Sequence, residues 1–599
     1  MSKLSGFSLR LAERVSFETL VNCYVHELGG GSWHSADSFA RRVDLGWRGR
    51  GAFVLELGLS RARIRVAFDV TYRSAVGCHA IAGVRCARGE GRWEDGDELD
   101  VMLALVRELF SDARGGTRAD ELEMLQRLLE SQSVMARYLE ARARERETPG
   151  ERFIDSEQSL LYGHWRHPVP KSRQGITDWQ HASVAPELRG RFRLHGFAVA
   201  RALITQDSAL EVAAETLLAA ALGVESRAAA ELEHARARDA VLVPVHPLQV
   251  DWLLHQPHVA AWLQKGLVRD VGPLGPWFTA TSSVRTVYSE ACPFMFKLSI
   301  PVKITNSVRA NRRHELLAGI AAARLMAKLP ETGVVIVSDP AYLTVDTPHA
   351  GESGFELIVR ENPFVAGRDV GVHSVAALAQ RALPHQPARL RALIEGLALT
   401  ESRTLRSVGL EFLLRYLSCA IEPLIRLYDS HGVALEAHQQ NTLLDVTAGY
   451  PGRCYFRDNQ GFYLSRSHRD ALLCLAPELA ERSDLFFDDA LIRRHFSYYL
   501  VQNQLFAMVH RLGREDVLEE DTALSVIRAR LTRLARELGA RGGALVRELL
   551  GERTLPCKAN LLIRARDVDE LTDESGVVYV PVENPISAAS GGGAELEVA

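Results

Sequence analysis

A length of 599 residues is the feature that most limits how this chain can fold, because a single hydrophobic core stops growing well below that size. We therefore expect two or three subdomains. Hydrophobic residues make up 47% of the chain and charged residues 24%, which is typical of a globular protein. No stretch of about 18 uncharged apolar residues occurs, so the sequence predicts no membrane-spanning helix.

Charge and cysteine usage argue against several classes of protein. The 71 basic and 75 acidic residues leave a net charge of −4, which gives no reason to expect nucleic acid or an anionic membrane as the main partner. The eight cysteines are scattered and form no CxxC pair, and the N-terminal stretch lacks the continuous apolar segment of a signal peptide. A large chain with isolated cysteines is typical of a reduced cytoplasmic protein.

Helical and strand-like segments divide the chain into three regions. Apolar periodicity predicts helices over residues 118–147, 209–240 and 408–431, and strands over 52–57, 64–70, 241–247, 334–337 and 355–360. The turn at Thr148-Pro149-Gly150 and the Pro-, Gly- and Asp-rich stretch 339–354 are predicted loops. The predicted domains are residues 1–148, 149–350 and 351–599, and we expect the small, polar segment from Ser587 onwards to be frayed.

The first candidate site combines the turn TSSVRT, residues 281–286, with the strand-like segment FKLSIPVKIT, residues 296–305. Hydroxyl groups and the fork of Arg285 suit phosphate oxygens. If residues 296–305 form one strand, Lys297 and Lys303 share a face with Thr305. The alternative is an edge strand whose lysines are solvated.

The second candidate site is LEAHQQN, residues 435–441, followed by Arg457-Asp458. Strand alternation would place Glu436, His438 and Gln440 on one face. Oxygen atoms of Glu436, Asn441 and Asp458 are of the type that holds Mg²⁺ together with nucleotide phosphates. The alternative is a polar network satisfied between strands.

The third candidate is GHWRHPVPKSRQG, residues 163–175. Its prolines, glycines and basic residues predict an exposed loop that binds an anion, and a solvated basic loop is the alternative. His164 and His167 are spaced as HxxH rather than HxxxH, so a helical zinc pair is not indicated.

Eight stretches in one order resemble the NRPS-independent siderophore synthetases, the IucA/IucC-like family that includes aerobactin synthetase. They lie between residues 163 and 564 and read GHWRHPVPKSRQG, VAPE, VHPLQ, TSSVRT, FKLSIPVKITNSVR, EAHQQN, RDNQG and CKANLLIR. The resemblance implies an α+β, hand-like architecture of thumb, fingers and palm, with a palm distantly like kinases. It also implies a ligase that uses ATP and Mg²⁺. A carboxylic acid, usually citrate, becomes an acyl-adenylate with release of pyrophosphate, and an amine or alcohol then displaces AMP.

The resemblance also assigns roles to individual residues. In the nucleotide-binding group it implies Ser283, Arg285, Thr286, Lys297, Arg309, Glu436 and Gln440. For the metal it implies Glu436, Asn441 and Asp458, and for the substrate acid it implies His164, His167, Lys171, Thr305, Arg309, His438 and Lys558. Arg309, His438 and Lys297 are the catalytic candidates, because fixed cations and donors stabilise the charge that develops at the α-phosphate.

Alternatives remain open within and outside this family. Leu248, Ala280 and Gln439 depart from its usual pattern, which bears on substrate preference rather than on the reaction class. The acid could be α-ketoglutarate instead of citrate or a citrate derivative. A small-molecule phosphotransferase would use similar residues but release ADP, and a binding protein with decayed catalysis is disfavoured by the full set of polar residues. The resemblance is also compatible with a homodimer.

Overall fold

The structure is a computed structural model that describes residues 4–43, 49–89, 91–111, 116–142, 145, 150–330, 332–347, 351–384, 386–569 and 578–588. Thr148 and Pro149 of the first predicted boundary lie outside these ranges. So does the predicted frayed segment beyond Ala588, although Ser587 and Ala588 belong to a short helix. Within these ranges no helix is long and apolar enough to cross a membrane.

The N-terminal region packs three long helices around an antiparallel sheet whose five strands are ordered as in the chain. Its elements are α1 (Gly6–Leu28), β1 (Ser32–Ser35), α2 (Ala36–Val43), β2 (Phe53–Leu59), β3 (Ile64–Tyr72), β4 (Ala80–Arg88), β5 (Glu94–Asp95), α3 (Glu98–Leu109) and α4 (Arg118–Arg142). The predicted strands at 52–57 and 64–70 are confirmed. The predicted helix 118–147 is confirmed over Arg118–Arg142, and residues 143, 144, 146 and 147 lie outside the described ranges.

The middle region is built on an eight-stranded antiparallel sheet. Its elements are α5 (Phe153–Glu157), β6 (Arg173–Gln174), α6 (His181–Val184), β7 (Phe192–Ala200), β8 (Ile204–Ser208), α7 (Ala214–Leu222), α8 (Ser226–Arg236), β9 (Ala240–Val245), α9 (Pro247–Leu254), α10 (Pro257–Gln264), β10 (Val268–Ala280), β11 (Thr286–Tyr288), β12 (Phe294–Leu298), β13 (Lys303–Ile304), β14 (Ser307–Val308), α11 (Arg313–Lys328), β15 (Val335–Ile336), β16 (Ala341–Val345) and β17 (Leu357–Glu361). The sheet runs in the order β8-β16-β17-β12-β11-β10-β7-β9, so β12 lies in its interior.

The C-terminal region is mainly helical, with small sheets at its edge. Its elements are β18 (Val372–Ser374), α12 (Val375–Ala379), α13 (Arg389–Glu401), α14 (Leu405–Tyr416), α15 (Glu422–His431), β19 (Val433–Leu435), β20 (Thr442–Asp445), β21 (Arg453–Phe456), β22 (Phe462–Ser465), α16 (Arg469–Leu475), β23 (Phe486–Phe487), α17 (Asp489–Phe496), α18 (Phe506–Arg514), α19 (Glu520–Leu534), α20 (Ala540–Gly551), β24 (Thr554–Lys558), α21 (Asn560–Ala565), β25 (Tyr579–Glu583) and α22 (Pro585–Ala588). Segments Leu417–Ile421 and Ser497–Leu505 are π-helical.

Side-chain caps fix where several of these helices begin. Ser5, Asp97, Ser374 and Thr404 each accept a hydrogen bond from a backbone N–H three residues further on. Such caps satisfy donors that the first helical turn leaves without an internal partner. The start of α12 is therefore defined by its own sequence, and α12 packs directly behind the candidate site.

Three large hydrophobic cores hold the regions together. The largest lies among α11 to α20, and the second lies under the eight-stranded sheet. The third packs α1, α3 and α4 against the first sheet and also contains Leu561 and Leu562 of α21. A segment near residue 560 therefore completes the core of the N-terminal region.

Three predicted elements between residues 209 and 354 differ from the structure. The predicted helix 209–240 is two helices, α7 and α8, separated at Gly223–Glu225. The predicted loop 339–354 contains the fully buried strand β16, which apolar side chains hold in the second core. The predicted strand 296–305 stops at Leu298 and resumes as β13 at Lys303, because Pro301 has no N–H to offer a ladder.

Candidate functional site

Lys297 projects from β12, between β11 and β17, at the centre of the large sheet. Its ammonium group is buried and donates to Asp458 Oδ1 at 2.6 Å and to Gln460 Oε1. Burial lowers the pKa of Lys297, while Asp458 works in the opposite direction. The edge-strand alternative is therefore wrong for Lys297. Lys303, which was predicted to share its face, lies on the separate strand β13 and pairs with Asp567.

Asp458 lies in a turn after β21 and has a backbone φ of 83°, in the left-handed region. Arg360 on β17 approaches its carboxylate at 3.6 Å and is itself held by Asp339 through two hydrogen bonds of 2.6 and 2.8 Å. Burial alone would raise the pKa of Asp458, but Lys297 and Arg360 outweigh it and hold that pKa well below its usual range. Asp458 is therefore an ionised carboxylate.

The turn Thr281–Thr286 leads directly into β11 and closes on itself. Thr281 N–H donates to the Thr286 carbonyl at 2.8 Å, and Thr286 N–H donates to Ser283 Oγ at 3.2 Å. Val284 has a φ of 67°, a strained conformation for a β-branched residue that costs on the order of 1–3 kcal/mol. Arg285 donates to Asn311 Oδ1 at 2.9 Å. Such strain is frequent at functional sites.

Residues Glu436–Asn441 form a turn between β19 and β20, so the predicted strand with one polar face is wrong at this point. His438 Nδ1 accepts the N–H groups of Gln440 and Asn441 at 3.2 and 3.3 Å, which stabilises the turn. The proton of the neutral ring must then be on Nε2. Burial lowers the pKa of His438 to about 3, so His438 is a neutral donor at physiological pH.

A buried network joins this turn to Thr281–Thr286. Gln440 Nε2 donates to Ser282 Oγ at 3.0 Å, and Arg457 donates to the Gln440 carbonyl at 2.7 Å. Glu157 accepts from both Ser282 and Arg457. The sequence analysis missed Glu157, which lies in the mixed polar and apolar segment 151–162, where no pattern distinguishes it.

Thr305 and Arg309 belong to the hairpin of β13 and β14. Thr305 has a φ of 56°, and its hydroxyl accepts from Arg309 at 2.8 Å. Arg309 also donates to the Ile304 carbonyl at 3.0 Å, and its own carbonyl accepts from Ile300 N–H. Arg309 is thus held at the base of a tight hairpin that follows β12 directly.

The stretch 163–175 is buried over Arg166–Arg173, so the predicted exposed loop is wrong. His164 contacts Asn503 at 2.8 Å, and Asn503 accepts from Gln439 N–H at 3.2 Å. His167 contacts Asn306, in the hairpin that carries Thr305, at 3.1 Å. Both histidines therefore support candidate-site turns.

Lys171 is placed differently. Its ammonium group donates to Glu187 Oε1 at 2.5 Å and to the Leu160 carbonyl, and Arg173 reaches the same Glu187 oxygen at 3.1 Å. Burial lowers the pKa of Lys171 to about 8, although Glu187 opposes this. These contacts make Lys171 part of a closed ion pair and do not bring it to the candidate-site turns.

Lys558 ends β24 and faces Tyr499 of the π-helical segment Ser497–Leu505. Its Nζ lies 5.7 Å from the centre of the Tyr499 ring, and that ring lies 6.1 Å from the ring of His438. Tyr499 therefore stands between Lys558 and His438. No pattern in the sequence singled out Tyr499, since the π-helical geometry that aims it depends on packing.

Glu436, Asn441 and Asp458, whose side-chain oxygens are the candidate metal ligands, lie in two adjacent turns. Glu436 N–H donates to the Gly461 carbonyl at 2.8 Å, which ties the turn of Glu436 to the turn of Asp458. Asn441 gives its amide N–H to the Glu436 carbonyl at 3.1 Å, so its side-chain oxygen is the atom available to a cation. Across the described ranges no cluster of three or more His, Cys, Asp or Glu could hold a metal. A sparse oxygen set of this kind fits Mg²⁺ that also binds phosphates.

Comparisons with known proteins agree with the motifs. The sequence model of the IucA / IucC family matches residues 152–380, and one described as Ferric iron reductase FhuF-like transporter matches residues 410–573. The spermidine-citrate ligase of Bacillus anthracis is 35% identical over 96% of this chain and 98% of that protein. The rhizobactin siderophore biosynthesis protein RhbC of Rhizobium meliloti (strain 1021) is 36% identical over 86% of this chain and 89% of that protein.

A solved structure shows the same fold. The ATP-bound aerobactin synthetase IucA from Klebsiella pneumoniae superposes with a TM-score of 0.84 at 23% sequence identity, over 96% of this chain and 99% of that one. The mixed α/β fold expected from the resemblance is thereby confirmed. The motifs, two relatives above 30% identity over most of the chain, and this fold place the protein in the IucA/IucC family of siderophore synthetases.

Proposed function

We propose that the protein is an ATP-dependent ligase that joins citrate to an amine through an acyl-adenylate, with release of pyrophosphate and AMP. The observation that carries this proposal is the contact between Lys297 and Asp458, 161 residues apart. It sets a phosphate-binding cation against a carboxylate suited to Mg²⁺. The spermidine-citrate ligase relative supports citrate as the acid and an amine as the nucleophile.

The charges around this contact suit adenylation. Attack of one carboxylate on a nucleotide brings two anions together and builds negative charge at the α-phosphate. Lys297 and Arg285 are fixed cations, and Arg309 adds a third on the adjacent hairpin. His438 contributes a neutral Nε2–H donor, because its Nδ1 is occupied by backbone N–H groups. Pre-placed groups of this kind supply a large share of enzymatic rate enhancement.

Glu436, Asn441 and Asp458 would hold Mg²⁺. When bound, the ion supplies positive charge that neutralises the phosphates and favours pyrophosphate as the leaving group. The proposal keeps Ser283, Thr286 and Gln440 as nucleotide-binding residues, and Thr305 and Lys558 as residues that bind the acid. His164 and His167 support these turns through Asn503 and Asn306.

The same proposal includes the hand-like architecture, with a thumb at residues 1–148, fingers at 149–350 and a kinase-like palm at 351–599. Separate hydrophobic cores support a division into regions. A homodimer belongs to this proposal too, and light scattering of the purified protein would test it.

A matrix of acids and amines tests the reaction. Citrate and α-ketoglutarate would each be incubated with ATP, Mg²⁺ and spermidine or shorter diamines. Pyrophosphate release, the nucleotide product and the mass of the conjugate would be measured. We expect AMP, pyrophosphate and a citryl amide. ADP as the product would instead identify a phosphotransferase, and a conjugate formed only with α-ketoglutarate would reassign the acid.

A further inference from the structure

We propose that Glu157 is a positioning residue that locks the Thr281–Thr286 turn to the Glu436–Asn441 turn, so that both sides of the nucleotide site keep one relative position. The inference rests on the proposed function in that these turns are taken to hold ATP. Glu157 itself need not touch the nucleotide.

One side of this lock is the contact with Ser282. A carboxylate oxygen of Glu157 accepts the Ser282 N–H at 3.0 Å and the Ser282 hydroxyl at 2.8 Å. Ser282 immediately precedes Ser283 and the strained Val284. Two hydrogen bonds to one residue fix both its backbone and its side chain, so the carboxylate sets the position of the turn.

The other side of the lock is Arg457. Its guanidinium reaches the two oxygens of Glu157 at 3.0 and 3.1 Å, and it donates twice to the Gln440 carbonyl at 2.7 and 3.1 Å. The Arg457 N–H also donates to the Asn441 carbonyl at 3.0 Å. Arg457 therefore holds the end of the second turn from both its side chain and its backbone. It also precedes Asp458, which pairs with Lys297.

Burial makes this lock strong. Glu157 is 0% exposed and Arg457 is 5–6% exposed, so neither charge is screened by water. Breaking an interaction of this kind is costly, since removing one partner leaves the other charge buried without compensation.

Glu157 lies on the short helix α5, which packs against Phe364 and against the start of α12. The Phe153 ring stacks on Phe364 with centroids 4.4 Å apart, and Ser156 Oγ accepts the Ser374 N–H at 2.9 Å. Ser374 caps α12, and Ala376 N–H in the first turn of α12 donates to the Gln439 carbonyl. Glu157 and the Glu436–Asn441 turn are therefore held against the same helix by independent contacts.

Glu520 offers a matched control. Its buried carboxylate also accepts from a serine hydroxyl, Ser74 Oγ at 2.9 Å, and from backbone N–H groups, and it also contacts a basic side chain, His510. It joins the N-terminal region to α19, away from both turns. Glu520→Gln therefore removes a similar buried charge from a similar setting.

The experiment compares Glu157→Gln and Glu520→Gln in the full-length protein. ATP–Mg²⁺ affinity is measured by calorimetric titration, and the KM values for ATP and citrate are measured by pyrophosphate release. We expect Glu157→Gln to raise the ATP dissociation constant and the ATP KM at least ~10-fold and to lower kcat/KM by about 10²-fold, the scale of a 1 Å misplacement. The citrate KM should change much less. Glu520→Gln should lower thermal stability without changing ATP affinity.

Two further variants keep the test decisive. Arg457→Lys retains the charge but loses the fork, so partial loss of ATP affinity is expected. Ser282→Ala leaves the ion pair intact, so it serves if Glu157→Gln fails to fold, with a smaller loss of ATP affinity expected. Unchanged ATP binding in folded Glu157→Gln or in Ser282→Ala, or an equal loss in Glu520→Gln, would overturn the proposal. The titration needs neither acid nor amine, so it remains informative even if the proposed reaction is wrong.

Discussion

Lys297 and Lys171 are both buried lysines that donate to a carboxylate, at 2.6 Å for Asp458 and 2.5 Å for Glu187, yet their surroundings differ. The Asp458 side chain is 29% exposed, whereas the Glu187 side chain is 3% exposed. Lys297–Asp458, the open pair, therefore has one partly exposed partner. Lys171–Glu187, the closed pair, has both partners buried.

On the proposed function, this difference separates a functional ion pair from a structural one. All four residues lie in stretches that carry the family resemblance, so the resemblance alone does not distinguish them. A closed pair satisfies its charges internally and stabilises the fold only if it stays complete. A pair with one partly exposed partner leaves the Asp458 carboxylate accessible to a cation.

Removal of divalent metal should affect only the open pair and should have the largest effect. In excess EDTA we expect pyrophosphate release to fall to background and to return on addition of Mg²⁺ or Mn²⁺. The melting temperature should stay unchanged, because Lys297 and Arg360 already compensate the charge of Asp458. Full activity in EDTA would rule out the metal assignment of Glu436, Asn441 and Asp458.

Breaking the closed pair should act on stability. Lys171→Met leaves Glu187 buried with Arg173 alone, and we expect a loss of about 3–5 kcal/mol in the free energy of unfolding. Denaturant titration measures this loss, and activity below the melting transition should persist. A stable but inactive Lys171→Met variant would show instead that Lys171 belongs to the substrate site, as the resemblance implies.

Breaking the open pair should act on rate. Lys297→Met removes the cation that we propose to face the phosphates, and we expect adenylation to slow by ~10²–10³-fold. Because Asp458 is partly exposed and keeps Arg360 nearby, its charge remains compensated and the melting temperature should fall less than in Lys171→Met. Loss of stability equal to that of Lys171→Met would place Lys297 among structural residues.

Arg309 tests whether the adjacent hairpin belongs with the open pair. Arg309→Ala should lower the adenylation rate by about 10²-fold, and Arg309→Lys should recover part of that rate because it restores charge without the fork. The fold should survive, since Arg309 is half-buried and bonds mainly within its own hairpin. Turnover near that of the wild type in the alanine variant would remove Arg309 from the site.

Lowering the pH should reduce the stability that the closed pair contributes, and this is the smallest of the expected effects. Burial raises the pKa of Glu187, but Lys171 and Arg173 outweigh it and depress that pKa below the ordinary value of 4.5. A carboxyl with a depressed folded-state pKa contributes stability above pH 4.5 and loses it as the pH falls further. Thermal melts between pH 5 and 2 should therefore show a shallower fall in Glu187→Gln than in the wild type. Parallel curves would contradict this.

The sequence predicted correctly those helices and strands whose buried residues follow a regular pattern along the chain. The strands β2, β3 and β17 follow from short runs of apolar residues, and α4 follows from helical periodicity. Each is confirmed because its neighbours along the chain determine which face is buried. The motifs also identified most of the residues that gather around Lys297 and His438.

Long-range contacts explain the rest. The turn at Glu436–Asn441 has the same polar alternation as a strand. His438 Nδ1, however, accepts the N–H groups of Gln440 and Asn441, which a strand would give to its neighbour. Glu157 bonds to residues 125 and 300 positions away, so no local pattern reveals it. The stretch around Lys171 looked solvated because its counter-ion Glu187 lies outside that stretch.

The core beneath the first sheet has a consequence for biosynthesis. Helix α1 and its sheet emerge early from the ribosome, but Leu561 and Leu562, which fill their core, emerge late. At about 5–20 residues per second, the intervening chain takes roughly 20–90 s to appear. During that interval we expect the first region to expose an apolar surface, which chaperones would bind until the distant segment has been synthesised.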